Sequence, residues 1–264
     1  MNAPLRGWLT TLPMAVTGLI LLSAGLVATA SSSDDQPETR TQPINELTRA
    51  EKQAGWKLLF DGKSFDGWHS FKHKRVRPGW QIKDGTLACV NPEDAGDLVT
   101  TDQFDWFDLR IDYNISEGGN SGIMFHVTNA GPAIWATGPE VQLEDNAKAE
   151  DPIRCGWLYQ LYKPPTDART GKPLDTTKPA GQWNHMRIVI AQPPAKSEVD
   201  VNGVKYYDFV YNSDDFKARV ARSKFRRMRH FAQSDSGFIG LQGDHGAVSF
   251  RNIKLRPLTA KGES

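Results

Sequence analysis

A chain of 264 residues, 39% of them hydrophobic, with 23 glycines and 16 prolines, has room for one domain or at most two. Its formal charge of +1 gives no global pull toward nucleic acid or an anionic membrane. It also lacks a P-loop, a G-x-S-x-G nucleophile elbow and an H-E-x-x-H zinc helix, which removes several large enzyme classes.

In chain order, residues 1–30 read as a secretory signal peptide: Arg6, an apolar run from Leu12 to Val27, then the small-residue site Ala28-Thr29-Ala30. Pro13, Thr17, Gly18, Ser23 and Gly25 interrupt the run, so no stable membrane span is expected after cleavage. The expected location is periplasmic or extracellular, and the mature chain balances at 31 basic and 31 acidic residues. Residues 31–54 are polar and read as a disordered leader or linker, although Asn45 to Gln53 carries good helix formers.

From Gly55 the texture changes. Trp56 to Trp68 packs aromatics around two Asp-Gly pairs, and Trp80 to Val90 repeats the pattern around Asp84-Gly85. Asp-Gly between short apolar runs is a hairpin signal. In Phe107 to Tyr113, apolar Phe107, Leu109, Ile111 and Tyr113 alternate with Asp108, Arg110 and Asp112, the two-residue period of a half-buried strand. Two more strands follow. One alternates Ile123, Phe125 and Val127 with Met124, His126 and Thr128; the other alternates Val141 and Leu143 with Glu140, Gln142 and Glu144.

Residues 147–182 read as a long loop, with only Gly156 to Tyr162 strand-like. Gln182 to Ala191 is another strand, and Ser197 to Val210 a hairpin about Asn202-Gly203. Residues 214–231 form the one clearly helix-prone segment, its basic run taken as a solvated face. Two strands close the chain around Gly243–Gly246. About ten or more short strands with one or two helices predict an all-β sandwich or jelly roll. Cys89 and Cys155 form either one disulfide or two buried free thiols.

The chemistry-bearing candidates cluster on few segments. Glu140, Gln142 and Glu144 share one strand face, about 7 Å apart, followed by Asp145; spaced carboxylates are the raw material of acid–base work on sugars. Buried carboxylates are costly unless paired, so that face lines either a wet concave surface or an ordinary solvated one. Asn120-Ser121-Gly122, after Glu117-Gly118-Gly119, reads as a hairpin turn or as a place where a ligand approaches the backbone closely. His245, between Asp244 and Gly246, and His126 are candidate proton carriers or ligands, against the commoner outcome of a structural histidine.

Taken together, LLFDGKSFDGW, NSGIMFH, GPEVQLEDN, QWNHMRIVI, VNG and IGLQGDHGAVSFRNIKL, in that order, resemble the 3-keto-disaccharide hydrolase family, also described as a 3-keto-glucoside 1,2-lyase and 3-keto-2-hydroxy-glucal hydratase domain. The resemblance spans residues 55–258 and leaves 259–264 as a tail. It implies a concanavalin A-like jelly-roll sandwich of two antiparallel sheets, one of them concave and ligand-binding. It also implies a carbohydrate-active enzyme acting on 3-keto-glucosides by proton abstraction at carbon 2, β-elimination and hydration.

On this reading Glu140, Asp145 and His245 are the catalytic candidates. Asn120, Ser121, His126, Gln142, Tyr159 and Asp244 are the substrate-binding ones. Family members often carry Arg where His126 stands, and the last turn looks shortened after Gly246. Acids beside a histidine permit a divalent cation without requiring one; no other cofactor is implied. The partner is a small glycoside, with no nucleic acid expected and no oligomeric state implied. Two rivals stay open: a jelly-roll glucanase acting on unoxidised glucans, and a non-catalytic carbohydrate-binding module using Trp135, Trp157 and Tyr159 to stack on sugar rings.

Overall fold

The computed structural model describes residues 43–148 and 152–258. A short helix α1 (Arg49–Gln53) precedes β1 (Lys57–Leu58), β2 (Trp68–Ser70), β3 (Trp80–Lys83), β4 (Thr86–Cys89), β5 (Leu98–Thr100), β6 (Phe107–Ile115), β7 (Asn120–Val127) and β8 (Glu140–Glu144). Then follow β9 (Asn184–Ile190), β10 (Ser197–Val201), β11 (Val204–Phe209), helix α2 (Asp214–Arg222), β12 (Phe238–Leu241) and β13 (Val248–Pro257). The strands form two antiparallel sheets. The larger runs β11-β10-β9-β6-β13-β4-β3, with β1 also on β13; the smaller runs β2-β5-β12-β7-β8. The fold is thus the expected all-β jelly-roll sandwich with two short helices.

Alternation builds the interior. Leu109, Ile111 and Tyr113 of β6, Ile188 and Ile190 of β9, and Phe250 and Leu255 of β13 face Ile123, Phe125, Val141, Leu143, Ile239 and Leu241 of the smaller sheet. Each is fully buried, at about 1.5–3 kcal/mol per side chain of this size. The turns obey their local chemistry: Asp84-Gly85 and Asn202-Gly203 hold positive φ at both positions, as the two-residue hairpin requires.

Alternation fails at one place in β7. His126 takes φ +52, and the register between β7 and β12 slips between Phe238 and Gly240. The slip is a β-bulge: one extra residue reverses the side-chain order beyond it. His126 therefore points inward with Phe125, among Trp106, Phe107 and Tyr211. Met124 and Val127 share the opposite face with Val99, Ile134 and Phe238. Gly237 makes the bulge possible, since a Cβ there would stand 2.4 Å from the His126 carbonyl carbon.

The other face of the large sheet carries a network of paired charges. Arg187 donates to both oxygens of Asp108 (3.0 and 3.1 Å), to Glu198 (2.5 Å) and to Asp200 (3.0 Å), and Arg256 also reaches Asp108 (3.2 Å).

The folded body begins earlier than Gly55. Asn45 and Asn252 exchange backbone-to-side-chain hydrogen bonds at 2.7 and 2.8 Å, and Lys254 donates to Glu51 at 2.9 and 3.0 Å. Thr48 and Glu51 close a capping box on α1. Residues 43–54 of the expected disordered leader are therefore docked on β13. The expected signal peptide and residues 259–264 lie outside the described residues. Among those described, no helix is long and apolar enough to cross a membrane.

Both cysteines are free and buried. Cys155 shares a 3.0 Å hydrogen bond with Tyr113, and the Cys89 thiol donates to the Gly243 carbonyl at 3.0 Å.

Candidate active site

The smaller sheet turns a polar face toward a hollow of about 550 Å³. Asn120, Gly122 and Met124 of β7 stand opposite Glu144, Gln142 and Glu140 of β8, so these six share that face. The β12–β13 loop closes one side with Asp244 and His245, and Gln242 stands just after the end of β12. Trp135, on a single 3₁₀ turn between β7 and β8, forms a wall with Tyr159, Lys224 and Met228.

Glu140 is 6% exposed and Gln142 1%. A carboxylate this deep needs room and polar neighbours. Gly122 supplies the room, because a Cβ at that position would lie 2.2 Å from Oε1 of Glu140. The glycine serves the carboxylate from mid-strand; the turn itself is made by Glu117, Gly118 and Gly119, just before β7. Gln142 supplies polar contacts. Its amide is assigned with nitrogen toward Glu140 Oε1 (3.2 Å) and the Ser121 carbonyl (3.2 Å), its oxygen accepting from Asn120 Nδ2 (3.3 Å), because the reverse orientation sets oxygen only against acceptors. Gln242 is 7% exposed, and its Oε1 meets no donor among the described residues. A buried acceptor on a pocket wall suits a sugar hydroxyl.

His245 is held from both sides. Its carbonyl accepts from the Asn120 amide at 3.2 Å, and Gly246, at φ +145, packs against the Gly119 backbone. Its Nδ1 hydrogen-bonds Asp244, which raises the imidazole pKa above its ordinary value, with the charges of Glu140 and Asp97 adding to the effect. The same bond holds the Asp244 carboxyl below its usual range. Behind the pair, Asp97 is pushed up to about 7, first by burial and then by the Asp244 charge. Asp97 accepts from the Gly243 amide, while its Oδ1 has no partner among the described residues.

Six of the expected site residues thus meet at one hollow: Asn120, Glu140, Gln142, Tyr159, Asp244 and His245. Three do not line it. The bulge buries His126 at 1% exposure, its Nε2 on the Asp105 carbonyl at 2.5 Å, and burial lowers its pKa. Ser121 faces the core side of β7 and donates to the Gln242 carbonyl at 2.8 Å. Asp145 is a turn acceptor, its carboxylate taken by the amides of Gly118 (2.9 Å) and Ala147 (3.2 Å).

Sequence reasoning missed Lys224, Met228 and Gln242 as pocket residues. Lys224 was hidden in a run resembling a solvated helix. That helix stops at Arg222, Ser223 caps a following 3₁₀ turn, and Lys224 swings its ammonium to 4.0 Å from the Tyr159 ring centroid. Among the described residues, no group of three or more His, Cys, Asp or Glu side chains is arranged to hold a metal ion.

Residues 55–256 match the model of the 3-keto-alpha-glucoside-1,2-lyase-like domain. The chain belongs to that family. A 3-keto-disaccharide hydrolase from Bacteroides thetaiotaomicron is 28% identical over 237 residues, which cover 77% of this chain and 79% of the relative. Two crystal structures from Parabacteroides distasonis, both bearing a provisional glycosyl hydrolase name, are also similar. The first is 30% identical with a TM-score of 0.71, covering 82% of this chain and 100% of that one. The second is 28% identical with a TM-score of 0.56, covering 77% and 99%. The family match begins at the boundary where the sequence texture changes, and it contains every residue that lines the hollow.

Proposed function

We propose that this chain is a carbohydrate-active enzyme that cleaves 3-keto-glucosides. The observation that carries the reading is the meeting of Glu140 and His245, from distant parts of the chain, across one amide-lined hollow. Family membership and the name of the Bacteroides relative support the substrate class.

The chemistry needs a base, an acid and a donor to a developing oxyanion. A ketone at carbon 3 acidifies the hydrogen on carbon 2, because the resulting anion delocalises onto the ketone oxygen. Glu140 takes that proton. The enolate collapses, forming the carbon 1–carbon 2 double bond as the bond to the glycosidic oxygen breaks. His245, whose hold on its proton is strengthened by the hydrogen bond to Asp244, gives that proton to the leaving oxygen. Water then adds to the enone at carbon 1 and returns a proton to carbon 2, so the net result is hydrolysis. Lys224 supplies a positive charge facing the enolate, and Asn120, Gln142 and Gln242 orient hydroxyls.

The test is Glu140→Gln assayed on a 3-keto-glucoside, with the unoxidised disaccharide as control. Loss of about 10²–10⁴ in kcat is expected, the scale of a positioned acid–base group. In deuterated water the wild type should place label at carbon 2. Unchanged turnover by the variant removes Glu140 from the mechanism, and equal turnover of the unoxidised sugar rejects the substrate class.

A further inference from the structure

A second hollow, of about 520 Å³, lies beside the first. The two share a wall one residue thick. Tyr159 lines the first and Gln160 the second; Lys224 lines the first and Ser223 the second. The wall is closed by the Lys224 amide donating to Oε1 of Gln160 at 2.7 Å. Gln160 itself sits at φ +59, left-handed backbone that a non-glycine residue holds only where its surroundings enforce it.

The linings differ in charge. The second hollow is lined by Ile153 and Leu161, by the rings of Trp157 and Tyr162, and by Lys163, Arg219 and Arg222, with no acidic side chain among the described residues that line it; Asp215 lies just outside, accepting from the Tyr162 hydroxyl at 2.7 Å. Arg219 is already committed. Its Nε donates to Asp215 at 2.9 Å, its Nη1 to the Leu161 carbonyl at 2.9 Å, and its guanidinium lies 4.2 Å from the Tyr162 ring centroid. Arg222, three residues on along α2, brings a second guanidinium to the same rim. A flat apolar floor between aromatic rings accepts one face of a ring, and a guanidinium fork matches a carboxylate at its edge.

We propose that this second hollow is the leaving-group subsite and that it takes a ring bearing a carboxylate. The proposal rests on the function proposed above. The 3-keto-glucosyl ring occupies the first hollow, and the glycosidic linkage passes over the solvent-side rim of the wall at Gln160 and Lys224. The anionic ring then lies against Trp157, with its carboxylate on Arg222. Two sources supply that chemistry: an aromatic carboxylate and a uronic acid.

The experiment compares kcat/KM for paired 3-keto-glucosides. One arm pairs 4-hydroxybenzoate with 4-hydroxybenzamide as leaving group; the other pairs glucuronate with glucose. A carboxylate preference of about tenfold or more is expected in at least one arm, as for a hydrogen bond to a charged group. In Arg222→Gln that ratio falls toward one. Arg222→Lys, which keeps the charge without the fork, retains part of it. Equal rates within both pairs, or a ratio that survives Arg222→Gln, overturn the subsite while leaving the reaction in place. Turnover of none of the four by the wild type overturns the reaction and the subsite together.

Discussion

On the outer face of the large sheet, Asp108 is 1% exposed and gripped by two arginines. In the hollow of the small sheet, Glu140 is 6% exposed and has an amide, a glycine and an imidazole-bearing loop around it. Both are carboxylates taken out of water on a strand that alternates charged and apolar residues. The first is neutralised by the protein, and its ion pairs serve only to make burial tolerable. The second lines a hollow open to solvent, where Gln142 and Gly122 set the position of its carboxylate. Burial alone therefore does not single out a candidate reactive acid; access to an open hollow does.

Three substitutions break or sharpen that contrast. Asp108→Ala leaves Arg187 with Glu198 and Asp200 but removes the carboxylate it shares with Arg256, and should cost about 3 kcal/mol in urea unfolding. Turnover per folded molecule should stay at the wild-type level. A loss of activity without a loss of stability would erase the distinction between the two faces.

Asp97 tests the side of the hollow where a charge is withheld. Its carboxyl is raised from 3.8 to about 7, so between those values the folded chain keeps a proton that the unfolded chain releases. Stability therefore falls as pH rises through this window, and the whole penalty is present by pH 8. Asp97→Asn removes it, and thermal unfolding at pH 8 should show a gain on the order of 3 kcal/mol that vanishes near pH 4. A gain independent of pH would mean that the effect is packing and not ionisation.

Gly122→Ala is the smallest change. The new methyl would stand 2.2 Å from Glu140 Oε1, so the carboxylate must shift. An expected fall of about tenfold to a hundredfold in kcat follows from a misplacement of this size. Stability should change far less. Full activity would show that the position of the carboxylate is not what the glycine protects.

Much of this was legible in the residues. Alternation located β6, β7, β8 and β9, the Asp-Gly and Asn-Gly pairs marked hairpins, and Glu140 with Gln142 declared a polar strand face. The failures have a common physical source in tertiary context. The bulge at His126 leaves no local mark in β7; its enabling residue is Gly237, more than a hundred positions later. Asp145 carries the same carboxylate as Glu140, and only the return of the chain past Gly118 turns it into a cap. Lys224 sits in a run whose composition suits a solvated helix, and Ser223 breaks that helix just where the lysine must turn inward. Gly156 to Tyr162 reads as a strand in the sequence. It lies along the edge of β8 through single bridges at Leu158, and the bend at Gln160 makes the wall between the two hollows.

His245 is carried on the loop that leads into β13, and β13 pairs with both β6 and β4. Glu140 is carried by β8, far earlier in the chain. On the mechanism proposed above, a ribosome-bound or truncated chain that has made β8 but not β13 would hold half of the proposed acid–base pair. Product would then appear only once the last strand arrives, so turnover would serve as a clock for completed folding.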